Sequence, residues 1–472
     1  MREDLSYWFA MAAVFLSTAL SFLGLNHVLE NGEIRYALGG WAPPLGIEYV
    51  LDNISAFVSV VVTTISLLVI YATRHIVSAE ISGHLSSFYC LVLLLLAGLT
   101  GIVVTGDLFN LFVFLEIASL AAYSLVFLGG RRAMLAGYRY LILGSIGGSL
   151  YLLGVAFIYF STGTLNMSDV LYILNQQGAS SSVSAGAIFI FAGLGLKMGL
   201  VPLHFWLPNA YTEAPSSVAS LIAPIMTKVA AYSMLRMFIS VFPEGYLINE
   251  VPIGLMLISL GSLGVLVGSI IAISQSNLRR MFAYSSISQL GLIAIGIGLA
   301  TPLSFIAALL HIMNHAIMKA LLFLVVSDIN SRFKSEELKS LVGIGKVMKL
   351  NMIAFTIAAI SMIGIPPTAG FFSKWYLALA AIDLNQWPVL IIILGSSLLT
   401  AVYIFRILEN VFVKTADSES KNNQQSIDSK FGDAHELSLL NITPVLLILA
   451  ISIIAIGIFN MLIITHILEP AL

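Results

Sequence analysis

Five ionisable side chains stand where such groups are least welcome. Glu116, Lys197, Lys228, Lys319 and Lys374 each lie deep inside a long apolar run, whereas most other Lys, Arg, Asp and Glu fall between runs. A lysine at the middle of a bilayer costs roughly 2.5–3.5 kcal/mol on insertion scales, so each must be offset or used. A carboxylate and an ammonium placed together in hydrocarbon favour each other's charge, and apart each is more stable neutral. A Glu–Lys pair there is a two-state element suited to passing protons. Structural glue between helices is the plainer alternative.

The run HIMNHAIMKALLFL (311–324) adds His311, His315 and Lys319 at i, i+4 and i+8, one face of one helix. Two histidines at that spacing could hold a metal, but no third ligand is near and the next position is a cation. No metal site is therefore expected. Imidazoles titrate near neutrality and can accept on one side while donating on the other, so a proton relay fits better. His204, in PLHFWLP, could serve as relay or packing. Asp52 lies near one end of its span and could simply meet the interface. Arg236 and Arg406 sit near helix ends, where snorkelling is expected. Lys197 is flanked by Gly195 and Gly199, a small-xxx-small arrangement that lets helices approach and leaves room beside the lysine for water.

The elements that must position these groups follow from composition. Of 472 residues 59% are hydrophobic and 10% charged, far from the roughly 25% charged of a soluble chain. An all-α polytopic membrane protein is expected, a single transmembrane domain over 1–472. About thirteen segments could cross a hydrocarbon core of about 30 Å. They lie near 6–25, 49–72, 86–104, 108–128, 136–160, 184–206, 216–241, 252–273, 281–299, 303–328, 348–383, 389–412 and 440–466. The segment 348–383 is too long for one span and contains Pro366 and Pro367, so a broken helix is expected there. Pro202 and Pro208 beside Lys197 make a weak echo of it. Two proline-interrupted segments of this kind suggest a transporter built from repeats.

Loop charges orient the chain. Alternate loops gather Arg2, Arg74, Arg131, Arg132, Arg139, Arg279, Arg280, Arg332 and most lysines, while the opposite loops hold only Arg35 among Glu30, Glu33, Glu244 and Glu250. A cytoplasmic N-terminus and an outer C-terminus follow, in the cell's inner (plasma) membrane. Residues 413–438 read as a solvated cytoplasmic loop, and 161–183 as an outer loop with a short amphipathic helix. The single cysteine, Cys90, cannot form an intrachain disulfide or hold a Fe–S cluster, and no dinucleotide fingerprint follows a strand. No cofactor is expected in this chain. Net charge is −2, which gives no sign of a nucleic-acid partner.

Six stretches together resemble a known family: TGDLFNLFVFLEIASL (105–120), GLKMGLVPLHFWLPNAYTEAPSSVASL (195–221), TKVAAYSMLR (227–236), LRRMFAYSSISQLG (278–291), HIMNHAIMKALLFL (311–324) and IGIPPTAGFFSKWYLA (363–378). The family is that of the antiporter-like membrane subunits shared by proton-pumping NADH:quinone oxidoreductase (complex I), membrane-bound hydrogenases and Mrp cation/proton antiporters. GGWAPPLGIEYVLDNISAF (39–57) looks most like the D-type component of Mrp antiporters.

The resemblance implies two inverted five-helix repeats, 86–241 and 252–412, each with a discontinuous helix. It makes Glu116 the coupling acid and Lys197 the lysine of the first broken helix. Lys228 becomes the adjacent lysine, His311, His315 and Lys319 central relay groups, and Lys374 the lysine of the second broken helix. It also implies other membrane subunits as partners, with H+ and Na+ as the ions. Relatives have about fourteen helices, and the chain starts at what resembles the second. Two functions follow as expectations: a subunit of a gradient-driven Na+/H+ antiporter, or the proton-pumping membrane subunit of a redox complex.

Overall fold

The computed structural model describes residues 2–178, 180–414 and 432–472. Eleven helices among them are long and apolar enough to cross a membrane. They are α1 (Arg2–Asn31), of which the stretch from Leu5 qualifies, α2 (Asn53–Glu80), α3 (Leu85–Val104), α4 (Leu108–Phe127), α5 (Arg131–Thr162), α7 (Ser181–Met198), α9 (Ser216–Ser240), α11 (Ile253–Ser274), α12 (Leu278–Leu299), α13 (Pro302–Phe333) and α17 (Trp387–Leu408), which runs on to Val413. A twelfth span forms if Ile442–Ile458 and Asn460–Ala471, bent by 76°, count as one.

The expected segment 348–383 is two short helices, α15 (Lys349–Ile363) and α16 (Ala369–Asp383). Each has 15 residues, too few to span alone, which is why counting by length gives eleven or twelve where the hydropathy suggests thirteen. Short helices α6 (Met167–Gln177), α8 (Trp206–Glu213), α10 (Tyr246–Asn249) and α14 (Ile344–Val347) fill connections. The chain is also not purely helical. Strands β1 (Ile34–Ala37) and β2 (Glu48–Leu51) pair antiparallel, Ile34 opposite Leu51, between α1 and α2. Of the expected loop 413–438, residues 415–431 lie outside the described residues, and the helix Gly432–Ile458 begins within its last part.

Burial sorts the helices. Those apolar on every face belong in the centre, and the most apolar stretches of α9 and α13 are wholly buried while α12 is nearly so. Helices α5, α11 and α17 present most of their apolar surface outward. Glycine ladders pull two pairs of helices together. Cβ atoms added at Gly147 and Gly154 of α5 would meet the carbonyl oxygens of Gly193 and Gly186 of α7 at 3.2 and 2.6 Å. On α11, Gly254 and Gly261 face Gly298 and Gly291 of α12 at 2.7 and 2.6 Å. Small residues permit such backbone approach where hydrocarbon offers no hydrophobic drive to pack.

Both breaks are built alike. Helix α7 ends at Gly199 with φ 81°, whose N–H donates to the Gly195 and Leu196 carbonyls while Leu200 N–H donates to Gly195. Helix α15 ends at Gly364 with φ 90°, whose N–H donates to Ile360 and Ser361 while Ile365 N–H donates to Ile360. These are Schellman-type endings, in which a glycine takes the left-handed conformation closed to most side chains. A cis peptide follows each, Val201–Pro202 and Pro366–Pro367.

Candidate functional site

The first break delivers Lys197 to α4. Its Nζ lies 2.9 Å from Glu116 Oε1, 2.7 Å from Ser119 Oγ and 3.5 Å from Tyr123 OH. Glu116, Ser119 and Tyr123 stand at i, i+3 and i+7, so one stripe of α4 receives the ammonium. The lysine side chain is 4% exposed and the glutamate 25%, so the acid alone can be reached from outside.

Room for this pair comes from α5. A Cβ at Gly148 would lie 2.2 Å from Glu116 Oε1, and one at Gly144 would lie 1.7 Å from Tyr123 OH. The role expected of Gly195 and Gly199 is corrected accordingly. Gly195 has only ordinary contacts at 3.9 Å, and Gly199 terminates a helix. On its far side Lys197 borders a cavity of about 10 Å3, also lined by Leu115, Ser119, Met226 and Val229. That is about the size of one water, and it opens from Lys197 toward α9.

Lys228 on α9 is fully buried, its Nζ donating to Ala223 O at 2.6 Å and lying 3.4 Å from Thr227 Oγ1. His315 on α13 lies within electrostatic range of Lys228, Lys319, His311 and Lys374. Neither of its ring nitrogens has a hydrogen-bond partner among the described residues. His311, its ring 6.0 Å away, contacts Gln289 Oε1 through Nε2 at 3.1 Å and Ser373 Oγ through Nδ1 at 2.9 Å. Lys319 donates to Phe282 O at 2.7 Å and Ser285 Oγ at 2.5 Å. Lys374 on α16 donates back across the second break to Met362 O and Ile363 O at 2.9 and 3.1 Å, and to Ser397 Oγ at 3.2 Å. The lysines around this buried imidazole hold only neutral oxygens. Among the described residues no three His, Cys, Asp or Glu cluster as metal ligands.

Residues 105–400 match the family described as NADH:quinone oxidoreductase/Mrp antiporter, TM. The chain belongs to that family. It is 41% identical to the N-type component of NADH-quinone oxidoreductase from Desulforudis audaxviator over 471 residues, 98% of this chain and 92% of the relative. It is 32% identical to the D-type component of the Na+/H+ antiporter from Alkalihalophilus pseudofirmus over 406 residues, 86% of this chain and 80% of the relative. In the solved Mrp complex from Dietzia sp., one chain superposes with a TM-score of 0.87 at 25% identity, covering 100% of this chain and 92% of that one. A chain of the membrane-bound sulfane sulfur reductase, an archaeal respiratory membrane complex, gives 0.86 at 30% identity, over 98% and 91%.

In this antiporter-family chain the accessory expectations fare differently. Asp52 and Arg236 neither float at the interface nor snorkel. Arg236 Nη1 lies 2.6 Å from Asp52 Oδ2, and the guanidinium also donates to Tyr232 OH at 3.1 Å. Asp52 additionally caps α2 through Ser55 N–H at 2.8 Å. Arg406 turns inward too, donating to Ile273 O and Gln275 O at the end of α11. His204 is buried with Nδ1 unpartnered, and it faces a lateral cleft beside α5 and α12.

Sequence reasoning missed a second polar layer. The Glu80 carboxylate accepts from Ser216 N–H and Ser217 N–H, both at 3.1 Å, and from both hydroxyls, closing the N-terminus of α9. Ser327 Oγ donates to Ser216 Oγ at 2.9 Å. Arg279 pairs with Glu336 and donates to Ala214 O at 2.7 Å. Burial pushes the Glu336 carboxyl up from its ordinary range, against the pull of Arg279. Asp328, fully buried, accepts from Arg332 Nε at 2.9 Å and Asn351 Nδ2 at 2.7 Å. The available signal was an acid flanking each run, which reads as an ordinary loop charge.

Proposed function

We propose that this protein translocates protons across the membrane through the line Glu116, Lys197, Lys228, His315, His311 and Lys374, with Lys319 setting the field beside it. The observation that carries the reading is the Lys197–Glu116 contact of 2.9 Å inside the bundle, with space for about one water between Lys197 and α9. A proton arriving on Glu116 cancels its charge and frees Lys197 to give its own proton toward Lys228. Each such move changes the field at the next buried group, where low dielectric makes Coulomb terms several-fold larger than in water. Gln289 and Ser373 orient His311, and the carbonyls at the second break hold Lys374 until a proton is passed on. His204, Asp52 and Arg236 stand as accessory groups at the ends of the line. In this reading 86–241 and 252–412 are the two inverted repeats, each contributing one break. The N-terminus is cytoplasmic, the membrane is the plasma membrane, and the chain itself carries no cofactor.

Coupling to Na+ in an assembly of membrane subunits, as the D-type component of an Mrp-like antiporter, is the first form of this function. It is supported by the 32% identity to the corresponding component of a Na+/H+ antiporter. The 41% identity to a component of NADH-quinone oxidoreductase favours a second form, in which electron transfer in partner chains drives the same line. Vesicles holding the purified complex separate the two. Na+/H+ exchange without an electron donor supports the antiporter, and pumping only with a donor supports the redox complex. Normal translocation by a Lys197→Ala or Glu116→Ala complex under either drive would end the proposal.

A further inference from the structure

The cleft that receives His204 has a volume of about 450 Å3 and opens sideways between α5 and α12. Two arginines on different helices line it, Arg139 in the third turn of α5 and Arg280 in the first turn of α12. Both are exposed, and neither has an ion pair among the described residues. His204 also lines the cleft. Most of the rest is apolar: Ile142, Phe205, Ile271 and the ring of Tyr284 continue the cleft from the arginines along the outward face of the bundle.

Arg139 and Arg280 lie toward the end of the bundle where loop arginines gather, so the cleft begins at a basic interface and runs into the hydrocarbon zone. Two guanidinia above an apolar slot match an anionic group that carries acyl chains. Arginine binds phosphate oxygens in a bidentate fork, and basic pockets between spanning helices suit phospholipid headgroups. We propose that this cleft binds the headgroup of an anionic phospholipid between Arg139 and Arg280, with one acyl chain along Ile142 and Phe205. Such a lipid would wedge against the connection that follows Gly199, beside the lysine of the first break.

The test is lipid retention. The complex would be purified in mild detergent and its phospholipids quantified by mass spectrometry. An Arg139→Gln/Arg280→Gln chain is expected to lose about one anionic phospholipid relative to wild type. An Arg131→Gln/Arg132→Gln control, with exposed charges outside the cleft, should keep it. Ile142→Trp, which narrows the slot and leaves both guanidinia, should lose it as well and decides the matter if the double variant fails to assemble. Equal retention in the cleft variants and the control would overturn the site. Stabilisation by inorganic phosphate equal to that by phosphatidylglycerol would show a soluble anion site and overturn the lipid assignment. Loss of a partner subunit from the double variant with its lipid count unchanged would show a protein interface and overturn it too.

Discussion

The two breaks share a backbone design and differ in what their lysines hold. In the first, the indole of Trp206 donates to the Leu196 carbonyl at 2.9 Å, so Lys197 is free to reach across to a carboxylate. In the second, Lys374 itself donates to the freed carbonyls of Met362 and Ile363. One lysine answers a formal charge that a proton can erase; the other answers the fixed partial charge of a helix C-terminus. The difference bears on which break a proton could act on. Protonating Glu116 removes the partner of Lys197 at once, while nothing that titrates can remove a carbonyl from Lys374. On the proposed function, the first break is the responsive end and the second holds its lysine until a proton leaves it.

Substitutions can break that contrast, the most severe first. Lys197→Ala or Glu116→Ala should reduce ion translocation in vesicles to background while the chain still assembles, checked by co-purification of partners. Lys374→Ala should abolish translocation too, and so should Lys374→Arg, which keeps the carbonyl contacts but cannot release a proton. If Lys374→Arg translocated normally, Lys374 would be a fixed charge and not a member of the line. Gly148→Ala should displace Glu116, because its Cβ would lie 2.2 Å from the carboxylate oxygen. An overpacking cost of about 1–3 kcal/mol and a clear loss of rate are expected. Gly395→Ala, where a Cβ meets nothing within 4 Å, should leave both unchanged. Trp206→Phe should strip the indole donor from the Leu196 carbonyl, which keeps only the Gly199 N–H, and leave part of a buried site unfilled, at a cost of about 1–3 kcal/mol. Ser397→Ala should cost less, about 0.5–1.5 kcal/mol, because Lys374 keeps two other acceptors. Thermal unfolding in detergent ranks this last pair.

Much of this was legible in the sequence. The embedded Glu116 and lysines stood out because a charge in a long apolar run is rare, and Pro202, Pro366 and Pro367 marked the breaks because proline cannot continue a helix. Room beside Lys197 was sought in its neighbours Gly195 and Gly199, yet it is made by Gly144 and Gly148 on another helix. No local pattern reveals which glycine faces which carboxylate. Glu80, Asp328 and Glu336 were passed over as loop charges for the same reason, since a helix end looks alike whether it meets water or a buried serine pair. The strand pair β1–β2 was missed because β1 lies in the connection before the span 49–72 and β2 across its start, where hydropathy records burial and not backbone conformation.

By itself the sequence determined that the chain is a polytopic membrane protein, where its spans fall and which buried groups can ionise. These depend on segment length, apolarity and the cost of charge in hydrocarbon, all local quantities. The tertiary structure decided who meets whom: Glu116 with Lys197, 81 positions apart, and Asp52 with Arg236, 184 apart. Only the packing of separate helices brings such groups within hydrogen-bond reach, because residues so far apart in the chain share no local geometry.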